Sequence, residues 1–203
     1  MNKRQFLSGA ALLAAASPAL AAAGTARAAV PSSSPSSPVL LTVSGAIDRR
    51  NRGPLNPLFD RLLDKQMVRF DGAYAFDFPM LARLPAVTIA PTLEYDAKPH
   101  RLSGPLLVDV LEQAGAQAAP GNQIMLRAID GYAAATTFRE ARDWRFIVAT
   151  HMDGAPLALG GLGPLWAVYD ADRIPPLAAK PLKQRFESCP WAMYHVEVLA
   201  TSA

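Results

Sequence analysis

The sequence predicts an α+β fold that is mostly β, and three observations carry that prediction. Short apolar, β-branched runs recur along the chain, each bounded by turn residues. Two Asp-Gly dipeptides, Asp130-Gly131 and Asp153-Gly154, sit between such runs. A sustained helical stripe occurs in one segment, and eighteen prolines favour ordered loops over long helices.

Taken in order, Val39 to Ile47 is apolar and β-branched and ends in a charged turn, which predicts a strand. Leu58 to Leu63 and Phe78 to Leu84 fit short helical pieces. Val87-Thr88-Ile89, between Pro85 and Pro91, fits a short strand. Pro105 to Ala114 carries Leu106, Leu107, Val110, Leu111 and Ala114 at helical spacing and stops at Gly115, with Ser103 expected as its cap. Gln123 to Ile129 and Tyr132 to Thr137 flank Asp130-Gly131, which predicts a hairpin with a type I′ turn. Arg145 to Met152 and Ala155 to Leu159 repeat the pattern around Asp153-Gly154. Leu165 to Tyr169 and Met193 to Leu199 supply two more strands.

Residues 1–28 have the layout of a secretory signal: basic Lys3 and Arg4, an apolar stretch from Phe6 to Leu20, and small-residue cleavage sites. The apolar stretch is shorter than the roughly 20 residues a membrane span needs, and no later segment is long and apolar enough. Lys3-Arg4-Gln5-Phe6-Leu7 resembles a twin-arginine export signal with Lys in the first position, so that route and the general secretory route both stay open. Residues 29–38 are a Pro/Ser-rich linker, and 39–203 form one domain. The expected location is the periplasm.

Cleavage after residue 28 removes three basic residues and no acidic one, taking Lys+Arg from 20 to 17 against 17 Asp+Glu. A neutral mature chain lacks the basic face that nucleic-acid binding requires. The single cysteine, Cys189, excludes an internal disulfide and reads as an inert buried thiol. His100, His151 and His195 lack the spacing of a zinc site. No Gly-x-Ser-x-Gly elbow is present. Gly160-Gly161-Leu162-Gly163 precedes a strand, not a helix, and so gives no phosphate loop. Asp170 and Asp172 bracket a turn and read as solvated.

The order of several short elements carries more. Leu41-Thr-Val-Ser-Gly45 is followed by Leu102-Ser-Gly-Pro-Leu106, Val108-Asp-Val-Leu111 and Ala114-Gly115. Then come Ala128-Ile-Asp-Gly-Tyr132, Met152-Asp-Gly-Ala-Pro-Leu157, Gly163-Pro164 and a late Trp191. Over nearly the whole mature domain this order resembles the molybdopterin-binding domain of the sulfite oxidase family. The resemblance implies a mixed-sheet fold and a molybdenum atom held by a pterin dithiolene and one protein cysteine, a soft ligand. It places that cysteine within Thr88 to Arg101, where this chain has none. It also implies an Arg where Trp166 stands and a Lys where Pro190 stands, both partners for the cofactor's charge.

Against that pattern, Tyr132 matches an active-site tyrosine position, or is a hairpin tyrosine on a strand face. Asp130 is a general base or simply the turn residue that Asp-Gly demands. Trp166 and Trp191 line a pocket for a small apolar or planar ligand, or pack the core. His100 and Arg101 bind an anion together, or lie on a plain surface loop. The expectation is therefore an exported protein with an oxidoreductase molybdopterin-binding-type domain whose catalysis is unproven. The alternative is a non-catalytic module binding a small ligand, or a periplasmic or membrane protein partner. No cofactor is the expectation, with molybdopterin the alternative to it.

Overall fold

A computed structural model describes residues 34–116, 118–119 and 122–200. The expected signal segment and the first part of the linker lie outside the described residues. Strand β1 (Val39–Gly45) is followed by helix α1 (Arg61–Lys65), strand β2 (Tyr74–Asp77) and helix α2 (Phe78–Ala82). Strands β3 (Ala86–Ile89) and β4 (Leu102–Pro105) precede helix α3 (Leu107–Gln113). The hairpin of β5 (Gln123–Ala128) and β6 (Ala133–Thr137) runs into helix α4 (Phe138–Asp143). Then come β7 (Ile147–Ala149), β8 (His151–Met152), β9 (Ala155–Pro156), β10 (Trp166–Val168), the short helix α5 (Pro175–Ala178) and β11 (Met193–Leu199).

The main sheet has the order β2-β1-β11-β5-β6, with β1 and β11 parallel and the other pairs antiparallel. Its buried face carries Leu41, Val43, Phe76, Leu126 and Val196, all fully buried. A four-stranded sheet β3-β4-β8-β9 and the pair β10-β7 complete the β structure. Leu107, Val110 and Leu111 of α3 are fully buried, as the helical stripe predicts. No helix among the described residues is long and apolar enough to cross a membrane.

Three local expectations need correction. Residues 102–105 are a strand, not the start of a helix. Leu106 stands at the cap of α3, so Ser103 caps nothing there. Ser103 instead pairs with Thr88 and His151 across two ladders. At Asp130-Gly131 only the glycine has positive φ. With Ala128 N–H bonding Tyr132 O and Gly131 N–H bonding Ala128 O, the loop is three residues long with Gly131 at its bulge, not a type I′ turn. The second dipeptide does form the primed turn, with φ of 52° at Asp153 and 85° at Gly154, and Met152 pairs with Ala155. Finally, the expected strand 145–152 is broken at Thr150. Its first half pairs with β10 and its second half with β4.

The end of the linker is tied down. Asp77 is fully buried, and one carboxylate oxygen accepts the N–H of Ser36 (2.6 Å), the N–H of Ser37 (3.0 Å) and the Ser36 hydroxyl (3.1 Å). The other accepts Met80 N–H at 2.9 Å and caps α2. Burial pushes the carboxyl up, but the hydrogen bonds from Met80, Ser36 and Ser37 outweigh it and hold its pKa at about 2. Asp77→Ala is expected to lower stability by about 2 kcal/mol, from a lost cap and orphaned donors. Denaturant titration at pH 7 measures it, and an unchanged midpoint would refute the role.

Candidate functional site

Three loops meet at one cleft of about 190 Å³. The β5–β6 turn brings Ala128, Asp130 and Tyr132. The segment before β11 brings Phe186, Cys189, Pro190 and Trp191. The loop between β3 and β4 brings Glu94 and Tyr95. Asp130, Tyr132 and Trp191 are thus brought together, as candidates on separate segments of the sequence.

Each side chain has a local reason for its position. Asp130 Oδ1 accepts the N–H of Tyr132 at 2.9 Å, which fixes the turn. The Tyr132 hydroxyl donates to the carbonyl of Glu187, tying this turn to the C-terminal loop. The β3–β4 loop is folded on itself: Leu93 N–H bonds Lys98 O (2.9 Å), and Ala97 N–H bonds Leu93 O (3.0 Å). Buried Leu93 anchors it. Thr92 N–H reaches Asp172 at 2.7 Å.

His100 and Arg101 do not converge. The His100 ring sits between two carboxylates, Nδ1 at 2.6 Å from Asp153 and Nε2 at 3.0 Å from Asp96. It therefore clamps the β3–β4 loop to the Asp153-Gly154 turn. The hydrogen bond to Asp153 and then that to Asp96 raise its pKa above the ordinary value. A raised pKa means the clamp contributes fully below pH 6.5 and is lost as pH rises through the folded value. Faster amide exchange at Leu93 and Ala97 is expected above that value, and at all pH in His100→Ala. Exchange that ignores both would contradict the clamp. Arg101 lines a different cleft, of about 560 Å³, with Trp144, Arg145, Arg173 and Asp170.

Trp166 is core. It is 1% exposed, its Nε1–H donates to Cys189 O at 2.9 Å, and its ring packs on Phe186. The position that the resemblance gives to an arginine is filled with apolar surface. Asp170 is also buried, contrary to the solvated reading. It pairs with Arg173 at 3.3 Å and leaves Oδ1 unpartnered. Asp172 accepts Arg185 at 2.8 Å.

Glu94 and Tyr95 escape the sequence reading because nothing in a mixed loop marks which side chains turn inward. Cys189 is in the cleft wall but only 5% exposed. Burial pushes its thiol up to about 12, against the opposing effect of Tyr169, its hydrogen-bonding neighbour. That agrees with an inert thiol.

No family model matches the chain, and no curated protein matches it. Among solved structures it is similar to the sulfane dehydrogenase SoxCD from Paracoccus pantotrophus, with a TM-score of 0.54 and 12% identity. The match covers 79% of this chain and 38% of that one, so this chain spans well under half of that chain's length. The likeness is one of fold. The chain has an α+β, mostly β, mixed-sheet fold compatible with the sulfite oxidase type.

The residues present do not fit molybdopterin. The β3–β4 loop offers Glu94 and Tyr95 to the cleft, which are hard oxygen groups where a soft thiolate is needed. Cys189 is buried, 5% exposed, at the wall of the cleft. Among the described residues, no Lys, Arg or His lines this cleft, whereas a phosphate-bearing pterin needs cationic partners. Arg101, Arg145 and Arg173 line the larger cleft, which has no cysteine or methionine in its wall. Among the described residues, no group of three His, Cys, Asp or Glu could hold a metal ion.

Proposed function

We propose that this is an exported, periplasmic binding module on an oxidoreductase-like fold, taking a small ligand or a group of a partner protein in the cleft at Tyr132. The single observation that carries this reading is the lining of that cleft. It combines exposed aromatic rings with Glu94 and Asp130, and offers neither a ready thiolate nor a cation. Small-ligand sites pair apolar walls with a few placed polar groups, and this cleft has both. Export is supported by the tripartite pattern of residues 1–28. Asp130 and Tyr132 act here as binding residues, with no proton-transfer step assigned to either.

Elemental mass spectrometry, with pterin fluorescence, of the folded protein from a host that makes the cofactor tests the reading. Both are expected to be absent. Stoichiometric molybdenum would overturn it and make the domain a molybdenum oxidoreductase.

A further inference from the structure

The cleft is lined by acidic side chains as well as aromatic rings. Tyr95, Tyr132 and Trp191 are 57%, 48% and 38% exposed, and all three line the same small space. Large aromatic side chains left open to water and gathered in one place mark a binding surface. Their rings offer electron-rich faces to a cation. Glu94 and Asp130 stand in the same wall, and among the described residues no basic side chain lines it with them. A field of one sign in a partly enclosed site raises the local concentration of the opposite charge. Glu94 also bears on Tyr95, whose hydroxyl is raised first by burial and then by that carboxylate. Two basic side chains near this loop are engaged elsewhere: Lys180 pairs with Glu187 at 3.6 Å, and Arg185 with Asp172 at 2.8 Å.

Resting on the binding reading above, we propose that this cleft takes an organic ammonium group, held by Tyr95, Tyr132 and Trp191 and neutralised by Glu94 and Asp130. Its volume of about 190 Å³ suits a single headgroup, since whole drug-sized ligands occupy roughly 300–1,000 Å³. Two sources share that chemistry, a free alkylammonium compound and the lysine side chain of a partner protein.

The test titrates the protein with choline, with 3,3-dimethylbutan-1-ol as its neutral isostere, and with Nα-acetyl-lysine methylamide. Tryptophan fluorescence and calorimetry are read together; Trp191 lines this cleft, Trp166 is buried, and Trp144 lies at the larger cleft, so the signal lost in Trp191→Ala is the one assigned to this site. An ammonium probe is expected to bind about tenfold or more tightly than the isostere. Choline ahead of the lysine amide indicates a free ligand, and the reverse order a protein partner. Trp191→Ala and Asp130→Asn are each expected to weaken that binding about fivefold or more in protein that is still folded at the titration temperature. Asparagine keeps an oxygen for the Tyr132 N–H, so the turn survives. Equal binding of the isostere, or no binding by either ammonium probe, overturns the cation assignment. Molybdenum content, measured separately, decides the underlying reading.

Discussion

Gly104→Ala is expected to be severely damaging, costing about 3 kcal/mol or preventing folding. Gly104 lies in β4, paired with Val87 of β3, and a Cβ there would collide with the backbone carbonyl of Val148 in β7. The obstacle is backbone, not the end of a flexible side chain, so relief requires the two sheets to separate. Overpacking a rigid core costs roughly 1–3 kcal/mol even when side chains can yield. Soluble expression and the denaturation midpoint measure the effect. Native-like stability would mean that the two sheets are not packed as described. Gly131→Ala makes a useful contrast, because a Cβ there meets nothing within 4 Å; its cost is the strain of a φ of 95° alone.

The second large effect is acid sensitivity from His195. This residue of β11 is fully buried. Its Nε2 shares a hydrogen bond with Ser44 Oγ at 2.9 Å, and its Nδ1 has no partner. Burial, and then the charge of Arg127, push its pKa down from 6.5 to about 3. The folded protein therefore holds the ring neutral where the unfolded chain protonates it. Stability from this group is fully present above pH 6.5 and falls as pH drops toward 3. At roughly 1.4 kcal/mol per unit, the loss between pH 7.5 and 4.5 is about 2.5 kcal/mol. His100 works in the opposite sense, since its pKa is raised, so the comparison must be between variants. His195→Gln is expected to be less stable than the native chain at pH 7.5 and to show a flatter dependence down to pH 4.5. Equal slopes for the two proteins would show that His195 is solvated or already paired.

Much of the strand pattern is legible in the sequence because β-branched runs and turn dipeptides are local signals. Val39–Gly45, Ala86–Ile89 and Met193–Leu199 fall where alternation and flanking prolines put them. Where the reading fails, a longer-range choice decides. Leu102–Pro105 has a helix-start composition, yet it becomes a strand because β3 and β8 both pair with it. Helix α4 has a local signal that escaped notice. Thr137 and Glu140 form a reciprocal capping box at its start, and Thr-x-x-Glu at 137–140 was readable. Asp130-Gly131 and Asp153-Gly154 look alike as text but form different turns, because the first lies in a three-residue loop between Ala128 and Tyr132 and the second in a two-residue loop between Met152 and Ala155. At the site, Asp130, Tyr132 and Trp191 were nameable one by one. Their meeting with Glu94 and Tyr95 was not, since it depends on how the β3–β4 loop folds over Leu93.

Trp166 and Cys189 show how far the resemblance reaches. It implies an arginine where this chain has Trp166, and a cysteine within Thr88 to Arg101, where this chain has none. In the fold, the tryptophan fills space, and its ring nitrogen donates to the carbonyl of Cys189 at 2.9 Å. The one thiol near the cleft is thereby built into the core.

The most direct measurement is a side-by-side molybdenum determination on the native protein and Cys189→Ala, both purified folded from the same cofactor-producing host. A binding module with an inert thiol gives no stoichiometric molybdenum in either sample. Molybdenum in the native protein that disappears in Cys189→Ala would contradict it and make Cys189 the metal's ligand.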